Sequence, residues 1–188
     1  MLALRHRVRM ATPGLAVRWL KPERMMFPFF ADRHDAGRRL GARLGYLTNR
    51  ARLIVLALHR GAVPVGYEVA TALGAPLDVF VLGVPRPDLR GATVVLVDDG
   101  MASESTMLAA AHALHELGPA AVIVAAPVMS PSALTALAQV ADVCECIVTP
   151  EPLDGVGMWY HDFTQTTDDE VRTLLPHATR RSRYAGRS

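Results

Sequence analysis

VVLVDDGMASEST, residues 94–106, is the stretch whose reading decides the fold. Val94, Val95, Leu96 and Val97 form an apolar run that does not alternate, which predicts a strand buried on both faces. Asp98 and Asp99 then fall at its carboxyl end, where open α/β sheets bind their ligands. Residues 100–106 lead into a helix predicted from about Ser103, and free N–H groups at such a turn make an anion-sized cradle. Two carboxylates able to accept hydroxyl hydrogen bonds, beside a phosphate cradle, match the needs of a ribose 5-phosphate group.

Outward from that stretch, apolar runs alternate with helical patterns. Residues 32–47 place Ala36, Leu40, Leu44 and Leu47 at helical spacing, with Asp32 as N-cap. Residues 53–58, LIVLAL, predict a strand that ends at His59-Arg60-Gly61. Pro64 suits the first turn of a helix running to about Leu73. Strands are predicted at 77–82, 93–97, 121–126 and 143–148. Helices are predicted at 103–117, closed by Gly118, at 131–140, and from about Asp168 to Leu175, whose leading Asp168 and Asp169 suit the positive end of the dipole. The pattern implies an α/β fold: a doubly wound, mainly parallel five-stranded sheet with helices on both faces. One connection is unusual. About ten residues, GVPRPDLRGA, join the second and third strands, Pro85 and Pro87 exclude a helix there, and a parallel crossover usually takes a dozen or more.

Composition narrows the class. The 188 residues suit one domain able to bury roughly 70% of its unfolded surface without disulfide or metal. Hydrophobic residues make up 51% and charged residues 20%, a globular balance, and the net charge is +2. That excess gathers at the ends: Arg5, Arg7, Arg9, Arg18, Lys21 and Arg24 in one, Arg180, Arg181, Arg183 and Arg187 in the other. Residues 1–26 are therefore expected as a poorly ordered basic segment, 27–176 as the folded domain and 177–188 as a basic tail. No apolar run reaches transmembrane length, and the basic N-terminus lacks the h-region of a secretory signal. A cytoplasmic protein is expected, with no membrane or nucleic-acid partner. Cys144 and Cys146 share one face of a strand as small core residues in a reducing compartment.

Several constellations bear on chemistry. The Asp98-Asp99 pair can accept sugar hydroxyls and hold hydrated magnesium, where a bland reading makes it a dipole-complementing pair only. Arg60 and Gly61 suit a backbone-and-cation contact to phosphate or pyrophosphate, or else a tight turn with a solvated arginine. Ser103, Ser105 and Thr106 offer hydroxyls at the helix start, with Ser103 as N-cap in the plainer reading. Glu104 opposes an anion there. Within MWYHDF, residues 158–163, Trp159 and Phe163 are expected to pack rather than cover a ligand. The seven histidines show no metal-ligand spacing, and no Gly-Lys-Ser/Thr phosphate loop occurs.

VVLVDDGMASEST resembles the phosphoribosyl-pyrophosphate (PRPP) binding motif of type I phosphoribosyltransferases. FADRHDAGRRLGARL, LIVLALHRGAVPVGYEVATALGAPLDVFVL and PEPLDGVGMWYHDFTQTTDDEV resemble successive blocks of a bacterial, largely actinobacterial subfamily, together over roughly residues 30–175. The resemblance implies that Asp98 and Asp99 bind the ribose hydroxyls and a magnesium ion. It also implies that Ala102, Ser103, Glu104, Ser105 and Thr106 line the 5-phosphate site, and that Arg60 and Gly61 form the pyrophosphate loop. The segment after the fifth strand becomes a hood over the acceptor. Three departures accompany it: Ser103-Glu104 stands where the family has Thr-Gly, His59 where relatives tend to carry proline, and LGVPRPDLRG replaces a long flexible segment that closes over the donor.

Two functions stay open. One is a magnesium- and PRPP-dependent transferase with a small-molecule donor and an unknown acceptor. The other is a catalytically degenerate binding or regulatory module of the same fold. A receiver-like signalling domain ranks below both, because its acid pair would follow the first strand. A homodimer is an expected assembly, through exposed apolar hood surface.

Overall fold

A computed structural model describes residues 29–81, 83 and 88–175. The expected basic segments 1–26 and 177–188 lie outside the described residues, as do positions 82 and 84–87 of the short linker. Five parallel strands form one sheet: β1 (Leu53–Ala57), β2 (Leu77–Val79), β3 (Thr93–Val97), β4 (Ala121–Val128) and β5 (Val143–Val148), in the order β2-β1-β3-β4-β5. Helices are α1 (Arg33–Arg43), α2 (Val63–Leu73), α3 (Ser105–Glu116), α4 (Pro131–Leu137) and a run at 168–175, here α5.

The non-alternating apolar strands are sandwiched, as their composition requires. Val55, Ala57, Val95, Val97, Ile123 and Ala125 face one core with Leu40 and Leu44 of α1 and Val65 and Val69 of α2. Leu56, Val94, Leu96, Val122, Val124 and Ala126 face the other, with Met107 and Leu114 of α3 and Leu137 of α4. Phe30, Ala36, Val128, Trp159 and Tyr160 make a third cluster past the carboxyl end of β4. Cys144 and Cys146 both pack on the α3/α4 side, and burial pushes their thiols up to about 11 and about 12. Both are free, and a thiol held so high stays protonated at neutral pH.

Local signals explain most boundaries. Asp32 caps α1 by accepting the Asp35 N–H at 2.7 Å. Pro64 lies in the first turn of α2, and Gly74 closes that helix in the left-handed conformation. Ser130 caps α4 through the Ala133 N–H, a signal the sequence reading passed over.

Five boundaries differ from expectation by two residues or more, the first being α1, which ends at Arg43 and gives way to a separate 3-10 turn at Gly45–Leu47 where the helical spacing ran on to Leu47. β2 stops at Val79 rather than 82, because its neighbour β1 ends at Ala57, whose carbonyl takes the Phe80 N–H at 2.7 Å. β4 runs on to Val128, where β5 still offers a partner at Val148. α4 ends at Leu137 rather than 140. α3 starts at Ser105, with Glu104 rather than Ser103 at the N-cap position and no side-chain cap. The chain stays extended beside β4 through Met101, which donates to the Val128 carbonyl and accepts from the Ser130 N–H, so the helix cannot begin earlier. The short connection from β2 to β3 also has further to go than the linear pattern suggests, since it passes β1. Phe80 and Leu89 bury into the α3/α4 core on the way.

Candidate functional site

The strand order creates a crevice between β1 and β3. β1 leads to α2 on one face and back to β2, while β3 leads to α3 on the opposite face and on to β4. The two connections diverge, and such a switch point is where open α/β sheets take ligands. Ala57 pairs with Val97, so His59-Arg60-Gly61 and Asp98-Asp99 leave the sheet side by side.

Asp98 and Asp99 are both buried. The Asp98 N–H donates to the Ala125 carbonyl at 3.1 Å, which ties the loop root to β4. Asp98 Oδ1 accepts the Asp99 N–H at 2.8 Å and lies 2.7 Å from His59 Nε2. Asp99 Oδ2 accepts Arg33 Nε at 2.8 Å, and its Oδ1 is 3.8 Å from His59 Nε2. The same Arg33 donates to the Thr164 carbonyl at 2.7 Å and lies 3.8 Å over the Phe163 ring. The Tyr160 hydroxyl donates to the Asp99 carbonyl. Residues from β1, β3, the start of α1 and the 160–164 segment thus meet at one point.

Charge in this cluster is balanced and strained. Burial first, and then the Asp98 charge, raise the Asp99 carboxyl above its ordinary value; Arg33 and His59 oppose that shift. The hydrogen bond that the imidazole donates to Asp98 raises His59 above 6.5, opposed by burial and Arg33 and reinforced by both carboxylate charges. Burial, reinforced by the nearby carboxylates, pushes the Tyr160 phenol far above its usual range.

Of the expected site residues, Asp98, Asp99 and Gly61 come together. A Cβ on Gly61 would sit 3.0 Å from His59 Cε1 and 3.3 Å from Asp99 Oδ2, so glycine is what lets this turn approach the acid pair. Arg60 is turned elsewhere: its guanidinium bonds Asp168 at 2.8 Å, at the start of α5, and holds that exposed carboxyl below the usual range. Ala102, Ser103, Ser105 and Thr106 are exposed around the entry to α3, and Glu104 is half-buried among them. Trp159 and Phe163 pack, as expected, in the third apolar cluster.

Three participants were not foreseen. Arg33 lies 66 residues before its partner Asp99, and only tertiary placement reveals the pair. Tyr160 was read only as part of an aromatic stretch. The histidines show no metal-ligand spacing along the chain, yet His59, Asp98 and Asp99 bring donor atoms within 4.8 Å of one another in space. Linear spacing cannot show a cluster assembled from two strand ends. The two carboxylates suit a hard divalent cation, and the imidazole adds a softer donor.

The phosphoribosyl transferase domain model matches residues 81–160, which include the acid pair and the start of α3. Proteins from two strains of Mycobacterium tuberculosis, each named "Putative phosphoribosyl transferase", are 33% identical over an alignment covering 84% of this chain and 48% of theirs. The chain therefore spans about half the length of these curated relatives. The crystal structure of TT1426 from Thermus thermophilus superposes with a TM-score of 0.71 at 29% identity, over 80% of this chain and 99% of that one. A Neisseria gonorrhoeae protein crystallised with bound ppGpp gives a TM-score of 0.50 at 15% identity, over 77% of this chain and 92% of its own, a likeness of fold alone.

Proposed function

The chain belongs to the phosphoribosyltransferase domain family, and on that premise we propose that it binds PRPP with magnesium and transfers the phosphoribosyl group to a small acceptor. The observation that carries this reading is the buried Asp98-Asp99 pair at the β1/β3 switch point. In the proposed complex the two carboxylates accept the ribose 2- and 3-hydroxyls. The 5-phosphate lies against the N–H groups and hydroxyls of residues 102–106. The Arg60-Gly61 turn faces the pyrophosphate, with Arg60 exchanging Asp168 for it. Asp98 and Asp99 would hold a magnesium ion there, which would supply positive charge against the pyrophosphate.

In the reaction the acceptor's lone pair forms a bond to the anomeric carbon as the C1–O bond to pyrophosphate breaks, and pyrophosphate leaves with that electron pair. The transition state resembles an oxocarbenium ion. The protein's work is placement and electrostatics: buried carboxylates below the ribose ring, a fixed backbone turn at the leaving group and an aromatic wall at 159–163.

A second reading, binding without turnover, is favoured by Glu104. Its carboxylate stands among the residues assigned to a phosphate dianion, where like charge weakens binding. The short β2–β3 connection favours the same reading, because a site without a closing segment stays wet.

Isothermal titration of PRPP with magnesium into the full chain tests the proposal. Saturable binding that weakens by at least about 10-fold in Asp98→Asn/Asp99→Asn is expected, given that each lost charge-assisted hydrogen bond is worth about 1.5 kcal/mol or more. An absence of binding at millimolar donor removes the transferase reading. Markedly tighter binding in Glu104→Gly without a product from any acceptor selects the second.

A further inference from the structure

We propose that His59, Asp98 and Asp99 form a protein-held site for one divalent transition-metal ion of the manganese, cobalt and zinc class, filled before any phosphate ligand arrives. The proposal concerns the same crevice as the phosphoribosyl reading but does not depend on PRPP binding. His59 Nε2 lies 2.7 Å from Asp98 Oδ1 and 3.8 Å from Asp99 Oδ1. Donors sharing one ion at bond lengths near 2.1 Å stand about 3.0–3.4 Å apart. The observed separations bracket that range, so small side-chain rotations suffice.

The surroundings already orient these donors. Arg33 engages Asp99 through Oδ2, which leaves Oδ1 towards His59. The Asp99 N–H fixes the Asp98 carboxylate, and Gly61 leaves room for the imidazole ring. Charge points the same way. Arg33 neutralises one of the two buried carboxylates, and once His59 is a neutral ligand, one full negative charge is left for a dication to balance. Access is open, because the His59 side chain is 49% exposed while both carboxylates are 8% exposed. Three protein donors also leave coordination positions for water or substrate oxygens.

The imidazole decides the metal. A carboxylate pair alone suits magnesium, whereas a nitrogen donor shifts preference towards the later divalent ions. The competing account makes His59 only a hydrogen-bonded counter-ion of Asp98, and it expects no metal preference.

The test uses the full chain stripped with chelator, titrated with cobalt(II) by visible absorption and with magnesium by calorimetry. One equivalent of cobalt is expected to bind at least about 10-fold more tightly than magnesium. His59→Ala should lose about 10-fold or more in cobalt affinity while magnesium affinity changes less than about 2-fold. Asp88→Asn, beside Arg52 and Arg90 at the opposite, amino end of the sheet, should match the wild type. A variant-free check is substoichiometric manganese(II), which should broaden the amide resonances of His59, Gly61, Asp98 and Asp99 first. Unchanged cobalt affinity in a folded His59→Ala, or broadening centred on other histidines, overturns the proposal. A protein that takes cobalt but never PRPP keeps this site and sinks the transferase reading; the reverse outcome keeps the transferase reading and sinks the metal site.

Discussion

Arg33 shows how one side chain sets the character of the crevice. Its guanidinium is 11% exposed and bonds Asp99, whose side chain is 8% exposed. The planar fork also reaches the Thr164 carbonyl and stacks on Phe163, three contacts a lysine cannot reproduce together. Replacing Arg33 with methionine keeps the bulk and removes the charge, so Asp99 is left buried and uncompensated beside Asp98. The expected cost is about 3 kcal/mol, the usual penalty for removing one partner of a buried pair. Urea denaturation should show it as a lower midpoint. Arg33→Met combined with Asp99→Asn should recover a substantial part of the loss, because the orphaned charge has gone. If the double variant is as unstable as the sum of the singles, Arg33 stabilises through packing and not through Asp99. The acid pair was legible in the sequence because Asp98 and Asp99 follow directly on a recognisable strand. Arg33 was not, because α1 tells only which face is apolar, and nothing local says what its first residue will meet.

At the scale of elements, α1 and α2 pack closely because their contact is lined by small residues. A Cβ on Gly37 would lie 2.8 Å from both Glu68 Cβ and the Val65 carbonyl oxygen. Gly37→Ala should push the helices apart and cost about 1–3 kcal/mol through overpacking. Gly45, in the turn after α1, has open space around it, so Gly45→Ala should change stability by no more than about 0.5 kcal/mol. Thermal melts of the two variants, run side by side, check this, and equal shifts would refute the close-packing account. The sequence reading placed β3, β5 and α2 at their observed bounds because buried apolar runs and the Pro64/Gly74 punctuation are local signals. It misplaced the ends of β2 and β4, because a strand extends only as far as its neighbour offers hydrogen bonds. It also began α3 two residues early. Ser103 has the chemistry of an N-cap, but pairing of Met101 beside β4 holds the chain extended there. Local propensity lost to tertiary hydrogen bonding in each case.

For the molecule as a whole, the strand order ties stability to the state of the crevice. Two connections that diverge from β1 and β3 leave four ionisable groups facing one another: Asp98, Asp99, Arg33 and His59. Tyr160 closes the same cluster, and its phenol stays protonated throughout the accessible range. Both resolved shifts among the titrating groups have one sign. Asp99 has a folded value above its ordinary 3.8, so the cost of ionising it in the fold sets in as pH rises from 3.8 through that raised value. His59 has a folded value above 6.5, so its contribution is complete below 6.5 and fades as pH rises through the raised value. In each case the folded state binds the proton more tightly than the unfolded chain, and stability falls as pH rises. The exposed carboxylates Asp88, Asp162 and Asp168 have lowered values, act in the opposite direction and matter only below their ordinary 3.8. The His59 step is small, since its side chain is 49% exposed and solvent screens the pair. Comparison with His59→Ala cancels the background. In chelated buffer the wild type should melt above the variant at about pH 6, and the gap should narrow towards about pH 9 as the imidazole loses its proton. Asp98→Asn, which removes the hydrogen-bonding partner, should make the gap between proteins with and without His59 nearly independent of pH. A gap that widens with pH would mean that His59 is favoured in its neutral form, and the charge balance assigned to the crevice would then be wrong.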